Sequence, residues 1–127
     1  MNKIAFAVLL LLALPGCWRA QANINYDQAR AFSQWPAESY RQVASVEASS
    51  WVHYVGVCQD AAAAAFAELR ARGEALGANA LADVRWIVNG VSFSEPSCEA
   101  TFAVYWWGGK ATVRAAAIRL GPSALDQ

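Results

Sequence analysis

The chain is poor in the residues that carry chemistry. Its 127 residues include one histidine, His53, and three cysteines, and its charges balance at ten against ten. A zero net charge excludes the basic surplus of a nucleic-acid binder and any strong long-range field for steering a charged substrate. No CxxC or HxxxH spacing occurs, so the ligand patterns of zinc sites are missing. There is no Gly-x-Ser-x-Gly elbow and no phosphate-cradling glycine loop. The carboxylates are dispersed, without a pair placed for glycoside cleavage. His53 stands in a strand-like stretch beside Trp51 and Tyr54, where a packed or edge histidine is commoner than a base. Ser49 and Ser50 lie nearby with no acid at a suggestive spacing. The sequence therefore reads as non-enzymatic, with no catalytic residue, cofactor or metal site.

Long apolar runs are also missing. The longest, Ile4 to Leu14, is too short for a bilayer core of ~30 Å, which takes about 20 helical residues. With Lys3 before it and small residues after, this segment has the layout of a secretory signal peptide, residues 1–16. Its end, Leu14-Pro15-Gly16-Cys17, resembles the bacterial lipobox. That resemblance implies diacylglyceryl modification of the Cys17 thiol, cleavage before it, and acylation of the new amine. Several acyl chains make a firm anchor where one alone holds weakly. Trp18, not aspartate, follows the cysteine, which points to the outer membrane with the body in the periplasm.

Assigning Cys17 to a lipid leaves Cys58 and Cys98 as an even pair in an oxidising compartment, where a structural disulfide is expected. The alternative, a reactive or metal-binding thiol pair, would have to recruit His53 and lacks other ligands. Residues 17–40 read as a lipidated N-terminus and tether, with a short helix within Tyr26 to Gln34 before Trp35-Pro36. Residues 41–120 read as the folded domain and 121–127 as a frayed tail.

Within the domain, the alternation of Trp51, His53, Val55 and Val57 with Val52, Tyr54 and Gly56 predicts a strand. Asp60 is placed to cap a helix running to about Leu76, with Ala62, Phe66, Leu69, Gly73 and Leu76 near one face. Glu68 and Arg72 form an outward i,i+4 pair, and Gly77 is the stop. Leu81 to Val88 predicts a second strand, with Ala82, Val84, Trp86 and Val88 on one side and Asp83 and Arg85 on the other. Asn89-Gly90 signals a hairpin. Glu99 to Trp107 predicts a further strand, Gly108-Gly109-Lys110 a turn, and Ala111 to Leu120 the return. The expected fold is α+β, a small two-layer sandwich of one helix on a mixed or antiparallel sheet of about four strands. Of the chain's apolar residues, 12 lie in positions 1–16 and 25 of the remainder are alanine. Large aliphatics are consequently scarce, and tryptophan and the disulfide have to supplement the core.

Trp106-Trp107 are neighbours on a predicted strand, so one faces the core and the other solvent or a partner. Together with Trp35 they are the candidate partner-binding residues. The junction Leu76-Gly77-Ala78-Asn79-Ala80-Leu81 resembles the helix-to-strand step of the small YbjQ-type domains, and Ala116-Ala117-Ile118-Arg119-Leu120 is similar to their last strand. The RcsF-type outer-membrane stress-sensor lipoproteins carry the same domain, with a cysteine step similar to Val57-Cys58-Gln59-Asp60 and a later cysteine corresponding to Cys98. The resemblance covers about residues 52–120. It implies the fold and an envelope location. The family's second disulfide and long proline-rich tether have no counterpart in this sequence. The expectation is an outer-membrane lipoprotein, bound to the membrane through Cys17, that acts in envelope stress sensing or assembly by contact with an envelope protein. The alternative is a peptidoglycan- or glycan-binding lipoprotein using exposed tryptophans.

Overall fold

A computed structural model describes residues 16–53, 57–103 and 106–121, without the side chains of 16–18, 53, 57, 101–103, 106 and 107. Among the described residues the order is β1 (Gly16–Gln21), α1 (Tyr26–Ala29), β2 (Tyr40–His53), α2 (Val57–Ala75), β3 (Ala80–Val88), β4 (Val91–Phe93), β5 (Ser97–Ala103) and β6 (Trp106–Leu120). The α+β class holds, with α2 packed on one sheet. That sheet has six strands where about four were expected, and every strand-to-strand ladder in it is antiparallel.

The strand β6 organises the sheet. Along one edge it pairs with β2 from Leu120↔Tyr40 to Gly108↔His53. Along its other edge it pairs first with β5, then with β3. β1 extends the sheet beyond β5, and β4 beyond β3. The expected turn at Gly108-Gly109-Lys110 therefore does not form. Both glycines are buried within β6, between the β2 and β5 backbones, and the chain there stays extended.

The alanine run gives α2 its propensity and lets it sit close to the sheet. Ala61, Ala62, Ala65, Phe66 and Leu69 pack against Val46, Ala48, Val113, Ala115 and Ala117. At Gly73 an added Cβ would stand 3.3 Å from Leu81 Cδ2, so the helix is nearly at its closest approach there. The helix begins at Val57, so Asp60 lies in its first turn, favourably near the positive end of the dipole, instead of acting as its cap. Val57 accordingly leaves the predicted strand, and β2 ends at His53. The stop falls as expected: Gly77 takes φ +92°, and Ala78 N–H closes on Gly73 O at 3.0 Å. Leu76 is half exposed and not on the buried face. Arg72 and Glu68 form the expected pair at 2.6 Å.

Asp83 corrects the reading of β3. It adopts φ +52°, and the pairing to β6 shifts between Ala82 and Arg85. This bulge breaks the alternation. Val84 and Trp86 join the main core, while Ala82 joins Ala80, Ala116, Ile118 and Leu120 in a second cluster. The Asn89-Gly90 hairpin forms as expected, with φ +51° and +78° joining Val88 to Val91. The Asn79 side chain completes the helix-to-strand junction. It accepts from Leu120 N–H at 2.7 Å and donates back to Leu120 O at 3.3 Å, which locks the start of β3 to the end of β6.

The larger correction concerns residues 17–40, expected to be a tether. The structure makes them part of the domain. Gly16–Gln21 pairs with β5 over six rungs. Asn23 exchanges two 2.8 Å hydrogen bonds with the Gln59 side chain, whose amide substitutes for a neighbouring strand. Asn25 caps α1 through Gln28 N–H, and Arg30 turns the chain with φ +53°. Residues 30–34 then bond along β3: Phe32 N–H to Leu81 O at 2.9 Å, Leu81 N–H to Arg30 O at 3.1 Å, and Val84 N–H to Phe32 O at 3.1 Å. Ala31 is buried in the main core, and Phe32 and Tyr40 cover the second cluster. The segment wraps the sheet because both of its faces need cover there. Residues 1–15 of the expected signal peptide 1–16, and residues 122–127 of the expected tail 121–127, lie outside the described residues.

Candidate functional site

The expected site residues fall at two opposite ends of the sheet. At one end the register aligns strands that are distant in sequence. One rung carries Gly16, Phe102 and Trp107. The next carries Cys17, Thr101, Gly108 and His53. Above it come Trp18, Ala100, Gly109 and Val52, and then Arg19, Glu99, Lys110 and Trp51. Trp106 opposes Ala103 at the strand ends. Cys17, Trp106 and Trp107 are thus gathered with Trp18, Trp51 and Phe102, which sequence reasoning did not single out. Trp51 is 45% exposed.

The disulfide belongs to the same end. Cys58, in the first turn of α2, is bonded to Cys98 of β5, with Cα atoms 5.6 Å apart. Cys98 pairs with Ala20, three rungs above Cys17. Both thiols are consumed, so neither is a thiolate ligand. No group of three His, Cys, Asp or Glu placed to hold a metal lies among the described residues. Ser49 and Thr112 hydroxyls face each other at 3.4 Å on the exposed side of the sheet.

Trp35 sits at the other end. Its ring stacks on Tyr40 with centroids 5.5 Å apart and planes at 22°, and it remains 45% exposed. Tyr40 opposes Leu120, twelve residues along β6 from the Gly108 rung. That spacing separates the two ends by about 40 Å.

Between them lies a groove formed by residues 23–29 and α2, lined by Asn23, Asn25, Gln28, Gln59, Phe66 and Arg70. Its amides suit polar ligands, but several are already engaged: Gln59 with the Asn23 backbone, and Asn25 with Gln28 N–H. Beside the groove, Tyr26 stacks on Phe66 at 5.6 Å, and Phe66 on Trp86 at 6.2 Å. Trp86 Nε1–H donates to the Tyr26 hydroxyl at 2.7 Å, which in turn reaches Ser94 O at 3.4 Å. Tyr26 falls within the expected tether 17–40, and no local signal in the sequence marks this role.

Burial raises the Tyr26 pKa above its ordinary 10.0, against the opposing effects of the Trp86 hydrogen bond and Arg85. The folded state therefore favours the neutral phenol more than the unfolded state does. This contribution is complete below the ordinary value and is lost as pH rises from there through the raised one. Tyr26→Phe is expected to cost about 1–3 kcal/mol at neutral pH by leaving the buried Trp86 donor without its acceptor. The variant's unfolding free energy should also fall less steeply above pH 10 than the parent's. Urea melts of both proteins across that range check it; parallel pH profiles would refute the role.

No helix among the described residues is long and apolar enough to cross a membrane. No protein-family model, curated protein or solved structure matches the chain.

Proposed function

We propose that this protein is a lipid-anchored outer-membrane component facing the periplasm, akin to the YbjQ/RcsF type. It works by contact with an envelope protein, in stress sensing or assembly, and not by catalysis. The observation that carries the reading is Leu14-Pro15-Gly16-Cys17, with its cysteine set apart from the Cys58–Cys98 pair. The exposed Trp35–Tyr40 stack supports a contact role. A large amphipathic ring on a folded support offers binding area at low entropic cost, and it stands at the end of the sheet away from Cys17.

Two measurements test this reading. The mature protein isolated from a double-membraned bacterium should carry acyl mass on an N-terminal Cys17, fractionate with outer membranes, and lose both properties as Cys17→Ser. A photo-crosslinker in place of Trp35 should capture a discrete protein in intact cells. An unmodified Cys17 overturns the anchor. Absence of any protein adduct, with retention on purified sacculi abolished by Trp35→Ala, would replace the protein partner by a glycan.

A further inference from the structure

We propose that the Cys17 end of the sheet is a membrane-facing surface, its tryptophans lying in the lipid headgroup layer beside the anchor. This rests on the reading of Cys17 as lipidated. The argument is one of register and length. Cys17, the first residue after cleavage, already stands in a paired strand opposite Thr101, so no flexible spacer separates the acylated residue from the fold. Acyl chains buried in the hydrocarbon hold the backbone of their cysteine at the bilayer surface. The polar layer of one leaflet is about 6 Å deep, less than two strand residues. With β1, β5, β6 and β2 side by side at ~4.8 Å spacing, the rungs level with Cys17 lie within about 15 Å of it laterally. The Cys17 rung and the rungs one residue to either side of it fall within that depth.

The aromatic residues crowd the rungs around Cys17. Of the chain's six tryptophans, Trp107 is one rung below Cys17, Trp106 lies at the strand end beyond it, Trp18 is one rung above, and Trp51 is two rungs above. Phe102 shares the Trp107 rung. Trp86 is in the core, and Trp35 is about 40 Å away. Indole is the side chain most suited to the membrane interface, with an apolar body and one N–H for the polar zone. The exposed Lys110, on the Trp51 rung two residues above Cys17, stands just outside that layer, within electrostatic reach of the headgroups. The Cys58–Cys98 bridge fixes α2 to β5 immediately above, so this end meets the membrane as a rigid unit. The anchor therefore also sets orientation: it stands the sheet on its aromatic end and presents Trp35 to the periplasm.

The test uses the full lipidated protein, purified from membranes and reconstituted into phosphatidylcholine vesicles brominated near the top of the acyl chains or near their ends. Four of the six tryptophans are at the membrane end, so shallow bromine is expected to quench roughly half of the emission, and deep bromine much less. Trp35→Phe should leave the quenched intensity unchanged, and Trp106→Phe with Trp107→Phe should reduce it. If mass measurement finds the lipid but shallow bromine leaves wild-type emission unchanged, the tryptophans serve another surface; the inference fails and the anchor stands. If Cys17 carries no lipid, both fall. The wild-type measurement needs no variant to fold.

Discussion

Replacing Cys58 and Cys98 together with serine is expected to lower the unfolding free energy by about 4 kcal/mol. The bridge closes a loop with a sequence separation of 40, and chain-entropy arguments give this value for a loop of that length. For a domain of about 100 residues the shift is roughly 15–25 °C in the melting midpoint. A domain of this size has a total stability of only about 5–15 kcal/mol, so the variant should be only marginally folded at 37 °C. The magnitude matters because the core has few large side chains: among the described residues, 13 of the 24 buried apolar ones are alanine. The bridge also joins two elements with few other ties. Near it, the start of α2 is held to the β1–α1 segment through Gln59 and Asn23. Chemical denaturation of the oxidised protein and of the double-serine variant measures the effect. Equal midpoints would show that the helix is held by packing alone.

Legibility in the sequence was uneven, for physical reasons. α2 was readable because alanine propensity, the Glu68–Arg72 spacing and Gly77 are local signals, and all three operate as expected. The Asn89-Gly90 turn was readable for the same reason. β1 was not, because it is an edge strand held by backbone ladder bonds to β5, and its side chains carry no period that marks a buried face. Gly108-Gly109 carried a true turn composition, overridden by two flanking strands. Asp83 shifted the faces of β3 by a single left-handed residue. The candidate site follows the same pattern. Cys17, Trp106, Trp107 and Trp35 could each be picked out by type. That the first three converge with Trp18 and Trp51 depends on register between strands dozens of residues apart, which no local pattern encodes.

Trp86→Ala is expected to cost about 3–5 kcal/mol, near the top of that range. Trp86 is fully buried and, among the described residues, the largest fully buried side chain. The main cluster it belongs to is built largely of alanine, including Ala61, Ala62, Ala65, Ala111, Ala115 and Ala117. Short side chains on a helix and a sheet cannot reach into the space an indole leaves, so most of the cavity should persist. The variant also frees the Tyr26 hydroxyl from its 2.7 Å partner and removes the indole ring on which Phe66 stacks. Through Tyr26 the loss should reach α1 and the strap along β3, loosening the segment between Cys17 and Trp35. Trp86→Phe separates the causes, since it keeps most of the volume and removes the N–H donor. Combined with Tyr26→Phe it closes a double-mutant cycle, in which a coupling of about 1 kcal/mol is expected for two groups in direct hydrogen-bond contact. Denaturant melts of the four proteins give the coupling, and hydrogen exchange in residues 22–34 reports the strap. If Trp86→Ala melts within about 1 kcal/mol of the parent, or exchange in the strap is unchanged, the Tyr26–Phe66–Trp86 stack is not what fastens the N-terminal segment to the sheet.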